Sequence, residues 1–326
     1  MTSADTSWDD AAFRDAVQAA LDTFIDDQAR RLEPLGHDAA RLVEAAHRSV
    51  AGGKRFRAAF CYWGYHAVAE STSDRAAVIK AAAALELLHA SALVHDDYMD
   101  ASDTRRGRPA THKEFEAFHR EHGWDGDPEQ YGAAAAILLG DLLLSWADEM
   151  LRTCGLDHDV VRAALDFFDT TRSEVIAGQF LDVSVQARGE SDVDVAMRVL
   201  RYKSAKYPIE RPLHVGAALA GADAGTLAAL TGFGLPLGEA FQLRDDLLGV
   251  FGDSSVTGKP VGDDLREGKL TSLIAAAATR VDADGARLLE QLGHSTLDDS
   301  DIRALQRVLE ASGARAEIET AIEKLV

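Results

Sequence analysis

The sequence predicts an all-α fold, a single large bundle of ten or more helices forming one domain over residues 1–326. Three observations predict it. Apolar residues recur at intervals of three and four along most of the chain, as they do in helices with one buried face. No stretch alternates apolar and polar residues convincingly, and no Asn-Gly pair marks a hairpin. No internal repeat or Ser/Gly-rich linker divides the chain.

In chain order, the periodicity covers 11–28, 39–50, 56–69 and 76–99, then 131–152 and 158–187. It continues over 192–206, 209–220, 225–250, 269–281, 285–292, 299–311 and 314–325. The breaks are "GHD" at 36–38, "SDTRRGRP" at 102–109, "GWDGDPEQ" at 123–130 and "GDSSVTGKPVGDD" at 252–264, all rich in turn residues. Pro208, Pro212 and Pro236 fall where helices must start, stop or kink, because the ring removes a donor and crowds the preceding turn.

A hydrophobic fraction of 47% supplies a sizeable core, which argues against disorder. Lys+Arg 34 against Asp+Glu 54 leaves a net charge of −20, a balance unsuited to nucleic acid or an anionic membrane surface. Cys61 and Cys154 lie far apart and match no zinc spacing. They read as ordinary buried thiols in a reducing, cytoplasmic setting. The opening "MTSADTSWDDAAF" lacks a basic-then-apolar leader, so no signal peptide is expected. Apolar runs such as "AAAAILLG" at 133–140 are too short to span a bilayer.

Two acidic doublets stand out. In "HDDYMD", Asp96 and Asp100 are four apart and share a helix face. Carboxylates so placed suit Mg²⁺, a hard cation that prefers oxygen and keeps several waters. Acidic doublets are common in a chain with 54 acids, so this one alone decides little. A second doublet, Asp245–Asp246 in "FQLRDDLLGVFGD", again sits on an apolar helix before a loop. The pair of doublets suggests one site between two helices. Basic residues gather near glycines and loops: Lys54, Arg55 and Arg57; Arg105, Arg106 and Arg108; Lys203 and Lys206; Lys259 and Lys269. Each alone reads as a solvated charge. Together with the acids they suggest a polyanionic ligand held by metal and cations.

In order and content, "GGKRFR", "LVHDDYMDASDTRRGRPATH", "YKSAK", "FQLRDDLLGVFGD" and "GKPVGDDLREGKLT" resemble the motifs of the trans-isoprenyl diphosphate synthases, or polyprenyl synthetases. The likeness spans roughly residues 40 to 275. It implies an isoprenoid synthase-type bundle around a deep apolar cavity, Mg²⁺ (three ions with diphosphate bound) and a homodimer. The implied reaction ionises an allylic diphosphate, and isopentenyl diphosphate attacks the cation before a proton is lost. By matched position, Asp96, Asp100 and Asp245 resemble the metal ligands, with Asp246 in support. Lys54, Arg57, His89 and Arg106 match the isopentenyl diphosphate site. Arg105, Lys203, Ser204, Gln242, Lys259 and Lys269 match the allylic diphosphate side. The catalytic set so implied is Asp96, Asp100, Arg105, Lys203, Asp245 and Lys259, with no conventional side-chain base.

Gly249 stands where many members carry a third aspartate, and Ser204 where Thr is common. Product length should be set below the first aspartates, where Ser91 and Ala92 are small and Leu88 lies deeper. One helical turn rises about 5.4 Å, close to one extended five-carbon unit. The open first turn favours geranylgeranyl diphosphate (C20), with farnesyl (C15) or longer (C25 and above) as alternatives. A class I terpene cyclase would carry a different second metal motif and no GGKRFR-like site. The Glu-x-x-His pairs at Glu44–His47 and Glu86–His89 could serve a di-iron bundle, but that leaves the aspartates and basic loops unexplained. An inactive regulatory subunit would be expected to lack some of Asp96, Asp100, Lys54 or Arg57, and all are present.

Overall fold

Helices account for nearly all the secondary structure of the computed structural model, which describes residues 10–69, 74–189, 192–253, 261–294 and 297–326. Lys259 lies outside the described residues. Contacts divide the chain into two units: Met1–Leu165 with Val215–Ala222, and Asp166–His214 with Asp223–Val326.

The first unit is built around α4 (Arg75–Met99). Helices α1 (Asp10–Leu32), α2 (His37–Val50), α3 (Phe56–His66), α5 (Thr111–Glu121) and α6 (Pro128–Arg152) all pack on it. Burial on every side explains its composition. Ala81 to Leu88 are buried at consecutive positions, and alanine lets neighbouring helices approach closely. By length and composition α4 would pass for a membrane span, contrary to the expectation from apolar run length, yet 72% of its most apolar window is buried inside the protein. That is the pattern of a core helix. On α1 the buried Phe13, Val17, Leu21, Phe24 and Ile25 form a stripe with helical spacing.

Two elements here depart from the sequence expectation. Thr104–Arg105 (β1) and Arg108–Pro109 (β2) pair antiparallel, with Arg105 opposite Arg108. Arg106 and Gly107 turn the chain with φ of 52° and 73°, the positive values a tight hairpin requires. Strands of two residues are too short to show alternation, so the sequence reads there as plain loop. Helix α5 is also new, because its buried stripe is His112, Phe115, Glu116 and His119 and shows little apolar periodicity. It lies so close to α6 that a Cβ on Gly132 would stand 2.2 Å from the His112 carbonyl oxygen.

The second unit holds most of α7 (His158–Arg188), α8 (Val193–Val199), a π-helical segment Leu200–Glu210, the first residues of α9 (Arg211–Leu219), and α10 (Ala224–Phe251). Five shorter helices follow: α11 (Asp263–Arg266), α12 (Ser272–Ala278), α13 (Ala283–Leu289), α14 (Asp299–Ala311) and α15 (Ala314–Leu325). Leu243, Leu247 and Val250 of α10 share a core with Leu273, Ile302 and Leu309. The π segment replaces the α-helical ends expected around 206 and 209. It contains Pro208, which lacks an N–H and clashes with a regular α-turn, and the wider i→i+5 turn accommodates it. Pro236 lies inside the continuous α10. The π segment is closely gripped. A Cβ on Gly178 of α7 would be 2.5 Å from Lys203 N, and one on Gly238 of α10 would be 2.1 Å from Ala205 O.

His214 in this unit is 4% exposed, with Nδ1 3.3 Å from Arg211 Nη1 and Nε2 3.0 Å from Thr231 Oγ1. A neutral ring accepts from Arg211 and donates to Thr231. Burial, and then the Arg211 charge, lower its pKa to about 4. The unfolded chain therefore binds this proton more readily than the folded one between about pH 4 and 6.5. Stability should fall as pH drops through that window, read as a lower urea midpoint at pH 5 than at pH 7. A His214→Gln variant, which keeps one acceptor and one donor, should lose part of that slope.

Candidate active site

In the first unit the polar end of α4 carries the first acidic motif. Asp96 and Asp100 are both half-buried on one helix face. Asp97 between them is 4% exposed and faces Arg105, whose Nε donates to Asp97 Oδ1 at 2.8 Å while Nη2 makes a second, shorter contact. Burial raises the Asp97 pKa, and the Arg105 hydrogen bond and charge oppose that rise. Carboxylates at a helix C-terminus also meet the unfavourable end of the helix dipole. Cations are therefore needed here, and the hairpin delivers one. Arg105, assigned to the allylic diphosphate from the sequence, is engaged with Asp97 in this state.

Two turns back on α4, His89 sits among four arginines. Burial lowers its pKa well below the usual imidazole value, and Arg57, Arg106, Arg105 and Arg55 lower it further. The ring is therefore neutral in a strongly cationic setting. Arg106 Nη1 donates to the Ala51 carbonyl at 3.1 Å. Its guanidinium lies over Gly53, where a Cβ would come within 3.2 Å of Nη2. The 51–57 turn, α4 and the hairpin thus bring Arg57, His89 and Arg106 near one another. Lys54 is exposed on the same turn, its Nζ 5.8 Å from the Phe56 ring. In a chain of net charge −20, such a concentration of guanidinium groups favours a phosphate-bearing anion. Of the proposed length-setting residues, Leu88 and Ser91 are 2% and 3% exposed, whereas Ala92, four residues before Asp96, is only half-buried.

In the second unit the π segment presents Lys203, Ser204 and Lys206. Lys203 Nζ lies 2.5 Å from Asp182 Oδ2. Lys206 donates to Glu174 at 2.9 Å, and Arg211 holds that same carboxylate through two 2.7 Å bonds. On α10, Asp245 is exposed and Asp246 buried. Gln242 Nε2 donates to Asp246 Oδ1 at 2.8 Å. Burial pushes the Asp246 carboxyl up to about 7; Asp264 and Asp245 add to the rise, while Gln242 and Lys269 oppose it. Lys269 lies 3.7 Å from Asp264 and closer still to Glu267.

Gly249 has a steric role here. A Cβ at this position would be 1.9 Å from Asp264 Oδ2, so the Asp264 carboxylate occupies the space a side chain at 249 would need. Asp264 thereby joins Asp245 and Asp246 beside α10. The sequence reading named no role for Asp264, Asp97, Asp182 or Glu174, gave Arg55 only as one of a basic group, and weighed Glu86 only as part of a Glu-x-x-His pair. For Asp182 a signal existed: Val175, Gly178 and Val185 mark the buried face of α7, and a carboxylate on that face needs a counter-charge. Gly249→Ala should displace Asp264 and lower stability by about 1–3 kcal/mol. Urea unfolding checks this, and an unchanged midpoint would mean that Asp264 moves aside freely.

Oxygen donors predominate in both acidic motifs, and among the described residues no three His, Cys, Asp or Glu side chains converge into a closed metal site. That donor set fits Mg²⁺, which takes one or two carboxylates, several waters and phosphate oxygens, and it does not fit a structural zinc or di-iron centre. In the first unit Asp96 and Asp100 have the donor chemistry for such an ion, and in the second unit Asp245 has it. Glu86 is committed elsewhere, pairing with Arg55 at 3.2 Å.

A sequence profile of the Polyprenyl synthetase family matches residues 39–309. The chain belongs to that family. It is 35% identical to a geranylgeranyl diphosphate synthase of Mycobacterium tuberculosis over 286 residues, covering 82% of this chain and 76% of that one. Over 247 residues it is 34% identical to a (2E,6E)-farnesyl diphosphate synthase of Mycobacterium bovis, covering 74% of this chain but only 64% of that relative's length. Among solved structures, a geranylgeranyl pyrophosphate synthase of Corynebacterium glutamicum, complexed with isoprenyl diphosphate and magnesium, has a TM-score of 0.93. Its identity is 39%, over 98% of this chain and 91% of that one.

Proposed function

We propose that residues 1–326 act as a single prenyltransferase domain that condenses isopentenyl diphosphate with an allylic diphosphate. The observation that carries this reading is the gathering of Arg57, Arg106 and His89 where the 51–57 turn, the hairpin and α4 meet, with Asp96 on that helix and Asp100 at its C-cap. Arg57, Arg106, His89 and Lys54 bind the isopentenyl diphosphate. Lys203, Ser204, Gln242, Lys259, Lys269 and Arg105 bind the allylic diphosphate. Asp96 and Asp100 in the first unit and Asp245 in the second would offer carboxylate oxygens to Mg²⁺, which would supply charge neutralisation to a diphosphate leaving group. Fixed ammonium and guanidinium groups add to that stabilisation without reorganising. The apolar flank of α4 keeps water from the allylic cation, and the released diphosphate takes the proton. The need for Mg²⁺ is inferred from the family and from relatives such as the Corynebacterium glutamicum synthase complexed with isoprenyl diphosphate and magnesium.

We further propose a C20 product, since Ala92 leaves the turn below Asp96 open. Relatives named for farnesyl, geranylgeranyl and geranylfarnesyl products all match the chain at 32–35% identity, so shorter and longer products are outcomes of the same assay. The exposed Ile137 and Leu138 of α6 support a homodimer, and the burial of α4 supports reading it as a core helix and not as a membrane span.

The test is elongation of dimethylallyl, geranyl and farnesyl diphosphates with Mg²⁺ and isopentenyl diphosphate, products being read by mass spectrometry. A ladder ending at C20 is expected; no elongation from any primer would sink the reading. Asp96→Ala should lower turnover by at least about a thousandfold, roughly 4 kcal/mol of lost transition-state stabilisation, while far-UV circular dichroism stays unchanged. Ala92→Phe should shorten the product ladder by one or more five-carbon units.

A further inference from the structure

Arg55 has no ligand-binding part in the reading above, yet it is the best-buried cation of its motif, at 5% exposure. It caps α3 with a left-handed backbone, φ 55° and ψ 35°, a conformation that costs a β-carbon residue energy and persists only where the surroundings enforce it. They do. Arg55 Nη1 reaches Glu86 Oε2 at 3.2 Å, and Nη2 reaches both the Val50 carbonyl and Gln18 Oε1. Glu86, 6% exposed, accepts through its other oxygen from the Ala58 N–H at 3.2 Å and so caps the first turn of α3. Gln18 Oε1 also accepts from the Gly52 N–H at 3.2 Å. Glu86 lies three residues before His89 on α4. One buried carboxylate therefore links that helix to residues on both sides of Arg57, one of them next to Lys54.

We propose that Glu86, with Gln18, is a positioning residue for the isopentenyl diphosphate site: acting through Arg55, it holds the 51–57 turn so that Arg57 and Lys54 face the anion beside His89. This rests on the assignment of that site above. It explains why an acid is buried one turn from His89: its direct ion pair is with Arg55, and its charge also acts on Arg106. It also gives the left-handed residue a purpose.

Glu86→Gln keeps the shape and an acceptor for Ala58 N–H but leaves Arg55 without its counter-charge. Isopentenyl diphosphate, titrated calorimetrically without Mg²⁺ into the full-length protein, should bind about tenfold more weakly, since small misplacements of binding groups have effects of that order or more. In steady-state assays KM for isopentenyl diphosphate should rise by a similar factor, while kcat and KM for the allylic primer stay within about threefold. Gln18→Leu, at a half-buried position, should shift the same constant in the same direction and provides the test if the first variant does not fold. Unchanged isopentenyl diphosphate affinity in a folded variant overturns the proposal, and so does an equal loss for both substrates. Wild-type protein that binds isopentenyl diphosphate without elongating any primer would defeat the functional reading while leaving the positioning role measurable. No binding by wild-type protein would overturn both.

Discussion

A buried charge must find a partner, and much of the first unit's polar chemistry follows from that constraint. Helix α4 is apolar along most of its length, yet it carries Glu86 and Asp97 at 6% and 4% exposure. Each is satisfied by one arginine, Arg55 and Arg105 respectively. Those arginines come from the two turns that also carry Arg57 and Arg106. The internal carboxylates thus fix where the external cations stand. Removing one partner of such a pair leaves an uncompensated charge in a low-dielectric setting, which is far costlier than the pair is stabilising.

The second unit solves the same problem with backbone proximity. Its lysines sit on a π segment held within touching distance by glycines of α7 and α10, and Asp182 and Glu174 answer them from α7. A glycine again decides the acidic side, because Gly249 leaves room for the Asp264 carboxylate. Asp264, fifteen residues after Gly249, thereby stands beside α10 with Asp245 and Asp246.

Most helices were legible because their buried faces are apolar and therefore periodic. Helix α5 was hidden because histidine and glutamate supply its inner stripe. The hairpin was hidden because two-residue strands have no pattern to show, and the π segment because a proline does not announce which wider turn will absorb it. In the candidate site, the groups proposed to meet ligand could be read as motifs, since Asp96 with Asp100 and Arg105 with Arg106 are close in sequence. The groups that hold them could not. Glu86 is 31 residues from Arg55, and Asp182 is 21 from Lys203. Such pairings depend on which helices become neighbours, a fact that local spacing does not contain.

The neutral His89 carries a thermodynamic consequence for whatever binds beside it. Its ring stays unprotonated partly because the surrounding arginines repel a further positive charge. An anion settling among them cancels some of that repulsion and makes the ring more basic. Ligand and proton therefore help one another onto the protein, by reciprocal linkage. The heat of anion binding would then vary with the ionisation enthalpy of the buffer.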